Sequence, residues 1–237
     1  MLQQFLKDVR LHRRDYFTYL LILAGAFLFG LFLAWLIMST DEDPGSWFCL
    51  GTLMSSIVLV LIDLFGGVFG YPQEFMLALS MGRTRKDFML SYYLQMVLQL
   101  VIGWVLLLLL HQAELRLCAR LYPQYQNEIY FSFLTDWRVL VPVFLLLPVF
   151  SMFLGSLYGR FGKKGLLVFY FVWLFCCIVV PRMFHDEPSE AVLDRVALGM
   201  MGVIQAVPVD FWIGFGAVTA VVMAAATIKF GMEQMVK

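Results

Sequence analysis

Six stretches of this chain are apolar over the length needed to cross a bilayer, and no other feature narrows its fold so far. They run approximately over residues 16–39, 47–70, 88–111, 139–158, 165–180 and 211–230. A hydrocarbon core of roughly 30 Å takes about 20 apolar residues in helical form. In lipid every backbone N–H and C=O must find its partner inside the protein, so each stretch is almost forced to be helical. The expected fold class is all-α: a polytopic membrane protein with six transmembrane helices. Mean hydropathy of +0.83 and a charged fraction of 14% separate the chain from water-soluble domains. Its 237 residues are expected to form one membrane domain, 1–237, with no room for an appended nucleotide-binding domain.

Net charge is zero, but its distribution is uneven. If the N-terminus is cytoplasmic, the inner segments hold Lys7, Arg10, Arg13 and Arg14, then Arg83, Arg85 and Lys86. They also hold Arg160, Lys163, Lys164, Lys229 and Lys237, which makes twelve of the seventeen basic residues. The outer segments carry much of the acid, including Asp41, Glu42, Asp43, Asp186, Glu187 and Glu190. The positive-inside rule then places both termini in the cytoplasm of a plasma-membrane protein. The first apolar run is too long for a signal peptide and reads as a retained span. The basic residues are too few and too scattered for nucleic-acid binding.

Between the spans, local signals are specific. Leu2, Phe5, Leu6 and Val9 share one helical face, so 1–14 is expected to lie as an interfacial helix. Asp41-Glu42-Asp43-Pro44-Gly45 makes a tight turn. In the inner loop 71–87, Pro72 suits the first turn of a helix and Glu74 suits the positive end of its dipole. Phe75, Met76 and Leu79 follow on one face, and Gly82 stands where a terminator belongs. Thr84 and Asp87 then read as a capping box opening span three. The expected product is a short surface helix over 72–81. Span three is expected to extend to Leu121, stopped by Pro123, and Pro142 and Pro148 to bend span four. The segment 181–208, polar and then apolar over a marginal length, reads as an outer re-entrant element.

Catalytic inventories are thin. No His-Glu-x-x-His or Gly-x-Ser-x-Gly stands in the chain, and Gly162-Lys163-Lys164 lacks the residues of a phosphate loop. The four cysteines (Cys49, Cys118, Cys176, Cys177) show no metal spacing, so no metal or catalytic residue is expected. Cys49 and Cys118 are both expected near the outer face, as thiols or as a bridge. Asp63 is the one acid inside a predicted span. A charge at that depth costs several kcal/mol on insertion scales. It reads either as half of an ion pair with an inner-side base or as a group acting on cargo or gating in a cavity. Gly66 with Gly70, and Gly155 with Gly159, form Gly-x-x-x-Gly pairs that suit close helix packing.

The run Leu79-Ser80-Met81-Gly82-Arg83-Thr84-Arg85-Lys86-Asp87-Phe88 resembles the first inner loop of permease subunits in bacterial ATP-binding-cassette exporters of the type-2 permease family, in their Gram-positive versions. The order of elements is similar too. The resemblance implies a non-catalytic transmembrane subunit. It would pair with a second permease, the same or a related chain, and with two cytoplasmic ATPase subunits. ATP and magnesium would be held by the ATPases and no cofactor by this chain. Pro72, Glu74, Phe75, Met76, Leu79, Arg83, Arg85 and Lys86 would couple to the ATPase. The 23 Phe and 14 Met lean toward a hydrophobic or amphipathic cargo, such as an antimicrobial peptide, a lipid or a drug. Two other readings stand beside this one: a solute-binding membrane module of an uptake system, and an intramembrane peptidase centred on Asp63.

Overall fold

A computed structural model describes residues 13–40, 49–121, 134–165, 167, 170, 171, 174, 218, 219 and 221–229. Among these all regular structure is helical. Four helices are long and apolar enough to cross a membrane. They are α1 (Arg13–Thr40), α2 (Leu50–Ser80), α3 (Arg85–Leu121) and α4 (Trp137–Phe161). They correspond to the first four predicted spans, and α3 is helical through Leu121; Pro123 lies outside the described residues. The described residues of the fifth and sixth predicted spans are helical too, but among the described residues four crossing helices stand where six were expected. The expected interfacial helix up to residue 12, the turn at 41–45, the re-entrant element at 181–208, Cys176 and Cys177 lie outside the described residues.

The chain divides into two compact units, Met1–Ser151 and Met152–Lys237. In the first, α2 packs against both α1 and α3. Its buried seam runs Thr52, Ser55, Leu59, Asp63, Gly67, Tyr71, Phe75 and Ala78, spaced by three or four residues, the interval that returns to one helical face. The facing seam of α1 is Tyr19, Leu23, Phe27, Gly30 and Ala34. At Gly30 the backbones of α1 and α2 meet: a Cβ there would stand 2.5 Å from the Leu50 carbonyl oxygen and 2.7 Å from the Gly51 Cα. The opposite face of α1 is greasy and bare. Phe17, Leu21, Leu28, Phe29, Phe32 and Trp35 are each more than half exposed. An apolar surface of that extent belongs against lipid or protein, not water. In the second unit the last turns of α4 close at Gly162, whose N–H donates to the Tyr158 carbonyl at 2.8 Å.

The α2–α3 connection differs from expectation in an informative way. The helix does not restart at Pro72; α2 runs through it as one element to Ser80. The loop expected over 71–87 shrinks to the four residues 81–84, and the helix over 72–81 is the last part of α2 rather than a separate paddle. An interior proline costs a helix about 3 kcal/mol. Here that loss is offset by rings. Tyr71 and Phe75 of α2 meet Phe88 and Tyr92 of α3 at centroid distances of 5.3 to 6.0 Å. Each buried ring contributes roughly 1.5–3 kcal/mol relative to exposure in water. The turn itself is well made. Gly82 takes a positive φ of 78°. Its N–H donates to the Leu79 carbonyl and the Arg83 N–H to that of Ala78, both at 3.0 Å, which is a Schellman closure. Asp87 N–H then donates to Thr84 Oγ1 at 3.3 Å while the Thr84 hydroxyl donates to the Asp87 carboxylate at 2.7 Å, capping α3.

Close packing on α2 falls at Gly67 rather than at Gly66 or Gly70. A Cβ on Gly67 would collide with the Ser151 hydroxyl, whereas one on Gly66 would meet no described atom within 4 Å and one on Gly70 only ordinary contacts, the Tyr92 hydroxyl at 3.4 Å and Glu74 Oε1 at 3.8 Å. The buried seam passes one position beyond the glycine that the Gly-x-x-x-Gly spacing marks. On α4, Gly155 is buried and Gly159 is exposed.

Candidate functional site

Asp63 lies on the buried seam of α2, one turn before Gly67. It is 1% exposed, and neither carboxylate oxygen has a hydrogen-bond partner among the described residues. The Tyr19 hydroxyl on α1 is buried without a partner as well. Both side chains line a cavity of about 330 Å³ walled by α1, α2 and α3. Ser151 of α4 fixes this stretch of α2, because its hydroxyl donates to the carbonyls of Asp63 at 2.8 Å and Leu64 at 3.0 Å. Gly103 of α3 leaves room for the Tyr19 ring; a Cβ there would collide with its hydroxyl.

The cavity wall has one electrical character. Asp15, Asp63 and Glu74 contribute acid, and among the described residues no Lys or Arg lines it. Tyr16, Tyr19 and Tyr92 add phenolic hydroxyls, and Gln95 and Gln99 add amides. Ile22, Ile62 and Met96 supply apolar wall. Of the two readings open for Asp63, the ion pair finds no base on this wall among the described residues, and the carboxylate lines a cavity. At an effective dielectric of about 20, a cation roughly 4 Å from a carboxylate gains about 4 kcal/mol. The site can therefore hold an amine, a guanidinium or another cationic headgroup, with its apolar portion against Ile22, Ile62 and Met96. Its volume is at the small end of ligand pockets, so it fits a headgroup or a side chain.

The residues singled out around the α2–α3 turn do not form one surface. Phe75 is fully buried in the aromatic stack, so it is unavailable to a partner's groove; running the helix through Pro72 carries the α2 seam onto it. Glu74 is on the cavity wall. Pro72 and Leu79 are half-buried. Met76, with Leu77 and Met81, is more than half exposed. Arg83 and Arg85 are partly exposed and Lys86 is exposed.

A second cluster, missed in the sequence, sits at the other end of the α2–α3 pair. Glu114 of α3 is 1% exposed and serves as the cap that Cys49, the residue before α2, does not supply. Gly51 N–H donates to its Oε1 at 2.9 Å, and Thr52 N–H donates to Oε2 at 2.8 Å. The Thr52 hydroxyl donates to Oε2 at 2.6 Å. A carboxylate here answers two orphan N–H groups and the positive end of the helix dipole. His111 Nδ1 lies 3.1 Å from Thr52 Oγ1. The Cys49 thiol is close by, and neither Cys49 nor Cys118 is in a disulfide. One signal was present: His111, Glu114 and Cys118 share a face at i, i+3 and i+7. No family model, curated protein or solved structure matches the chain.

Proposed function

We propose that the chain is the transmembrane subunit of an ATP-binding-cassette transporter that exports an amphipathic cargo bearing positive charge. In this reading the chain crosses a plasma membrane six times with both termini cytoplasmic. It catalyses nothing itself, and it works with a second permease chain and with ATPase subunits that hold ATP and magnesium. The observation that carries the proposal is the Asp63 cavity: a buried carboxylate with no hydrogen-bond partner among the described residues, set among tyrosines inside helices whose outer faces are apolar. An acid in lipid surroundings is functional by default. The two cavity walls α2 and α3 are joined by a four-residue turn closed by hydrogen bonds, so a push on the turn moves both walls together. The contact for the ATPase is then the exposed knob Met76, Leu77 and Met81 with the cations Arg83, Arg85 and Lys86, and not Phe75.

Extraction of the chain in mild detergent should bring a cytoplasmic ATPase with it, and Met81→Asp combined with Arg83→Glu should release that partner. ATP-driven efflux of a fluorescent cationic amphiphile from vesicles should fall about tenfold or more in Asp63→Asn, since the lost attraction exceeds the roughly 1.4 kcal/mol that a factor of ten represents. Efflux unchanged in both variants removes the proposal. The solute-binding reading draws on the same cavity; tight binding of the amphiphile by the chain alone, with no ATPase recovered, would favour it.

A further inference from the structure

We propose that Cys49, His111 and Glu114 form a binding site for a thiophilic divalent cation, with zinc the best match. The site is independent of the Asp63 cavity and of the transport reading. One ligand atom from each residue lies within 4.8 Å of the others, and the three offer sulfur, nitrogen and oxygen, a donor set that suits zinc over magnesium or calcium. Three protein ligands leave a fourth position for water.

Hydrogen bonding around Thr52 selects the ligand atoms. Among the described residues Glu114 Oε2 accepts two bonds from Thr52, whereas Oε1 accepts one, from Gly51. A carboxylate oxygen has two lone pairs, so Oε1 keeps one for a metal. The Thr52 hydroxyl has one proton, and the 2.6 Å contact commits it to Glu114. At 3.1 Å, His111 Nδ1 must then act as donor toward Thr52 Oγ1. That tautomer puts the imidazole lone pair on Nε2. A histidine whose other nitrogen is held by an oxygen is the usual supporting arrangement at metal sites. Thr52 is thus a positioning residue for two ligands at once. The third, Cys49, is fully buried directly before α2, and His111 is part-buried. On binding, the Cys49 thiol releases its proton to water and coordinates as thiolate. The resulting thiolate and the Glu114 carboxylate balance a divalent charge.

The test uses the full chain in detergent, kept reduced and titrated with cobalt(II) as the spectroscopic stand-in for zinc. A one-to-one complex is expected, with the intense visible bands of four-coordinate cobalt and a near-ultraviolet thiolate-to-cobalt band, both lost on adding zinc. Cys49→Ala should abolish the near-ultraviolet band. Thr52→Val should weaken affinity by about 10- to 100-fold, the range typical of lost outer-shell support. Cys49→Ala and Thr52→Val carry the test because Glu114→Ala is expected to disturb folding as well. Absence of the near-ultraviolet band in folded wild type would overturn the proposal, as would its survival in Cys49→Ala. So would a Cys49–Cys118 disulfide in chain extracted without reductant, because it consumes the ligand thiol.

Discussion

Two buried carboxylates in this chain have opposite circumstances, and their substitutions should separate cleanly. Glu114 accepts three hydrogen bonds and holds the start of α2. Bonds to a charged group are worth about 1.5–3 kcal/mol each, and they are not additive. Glu114→Ala should therefore lower stability by at least about 3 kcal/mol, seen as an early transition in a detergent melt. The Asp63 carboxylate oxygens have no hydrogen-bond partner among the described residues, so their burial costs the fold instead of supporting it. Asp63→Asn should raise the melting midpoint while reducing binding of a cationic amphiphile, the pattern expected where function is kept at the expense of stability. A lower midpoint in Asp63→Asn would show that the carboxylate is structural. The difference in legibility between the two acids is physical. Asp63 stands alone in an apolar run, so its depth is written in its neighbours. Glu114 gains its role from Gly51 and Thr52, more than sixty positions away, and only the register of α3 against α2 brings them together.

Among the elements, the α2–α3 hairpin offers the sharpest tests. Gly82 has φ +78°, where a Cβ costs about 1–2 kcal/mol, so Gly82→Ala should destabilise by that amount and Gly82→Asn by less. Pro72 discriminates between a continuous and a broken helix. In the continuous α2, Pro72→Ala restores a donor to the turn below and relieves a clash, so the melting midpoint should rise. Were Pro72 the first residue of a separate helix, the same change would be neutral or harmful. The local signals read from sequence at Gly82, Thr84 and Asp87 describe the turn correctly because each acts within a few residues of itself. Taking Pro72 as a boundary groups Phe75 with Met76 and Leu79 on an outward face, whereas the continuous helix turns Phe75 inward. With the seam counted from Thr52 in steps of three and four, Tyr71, Phe75 and Ala78 fall inward, as observed. That count was available in the sequence; the proline obscured it.

For the whole molecule, apolar length alone was enough to give helical membrane architecture, since lipid leaves an isolated apolar stretch few other folds. Orientation rests on charge and can be tested directly. Arg85→Cys or Lys163→Cys, in a background with the four native cysteines replaced, should react with a membrane-impermeant maleimide only after the cell is opened. Labelling of intact cells would invert the topology and detach the ATPase assignment with it. At 1.5 Å per residue, the 31 residues of α2 span roughly 46 Å and the 37 of α3 roughly 55 Å. Both exceed a hydrocarbon layer of about 30 Å, and helices longer than their bilayer tilt or reach beyond it. Acyl-chain length would then act as a dial on the lean of this hairpin, making the surrounding lipid a participant in how far its tip projects.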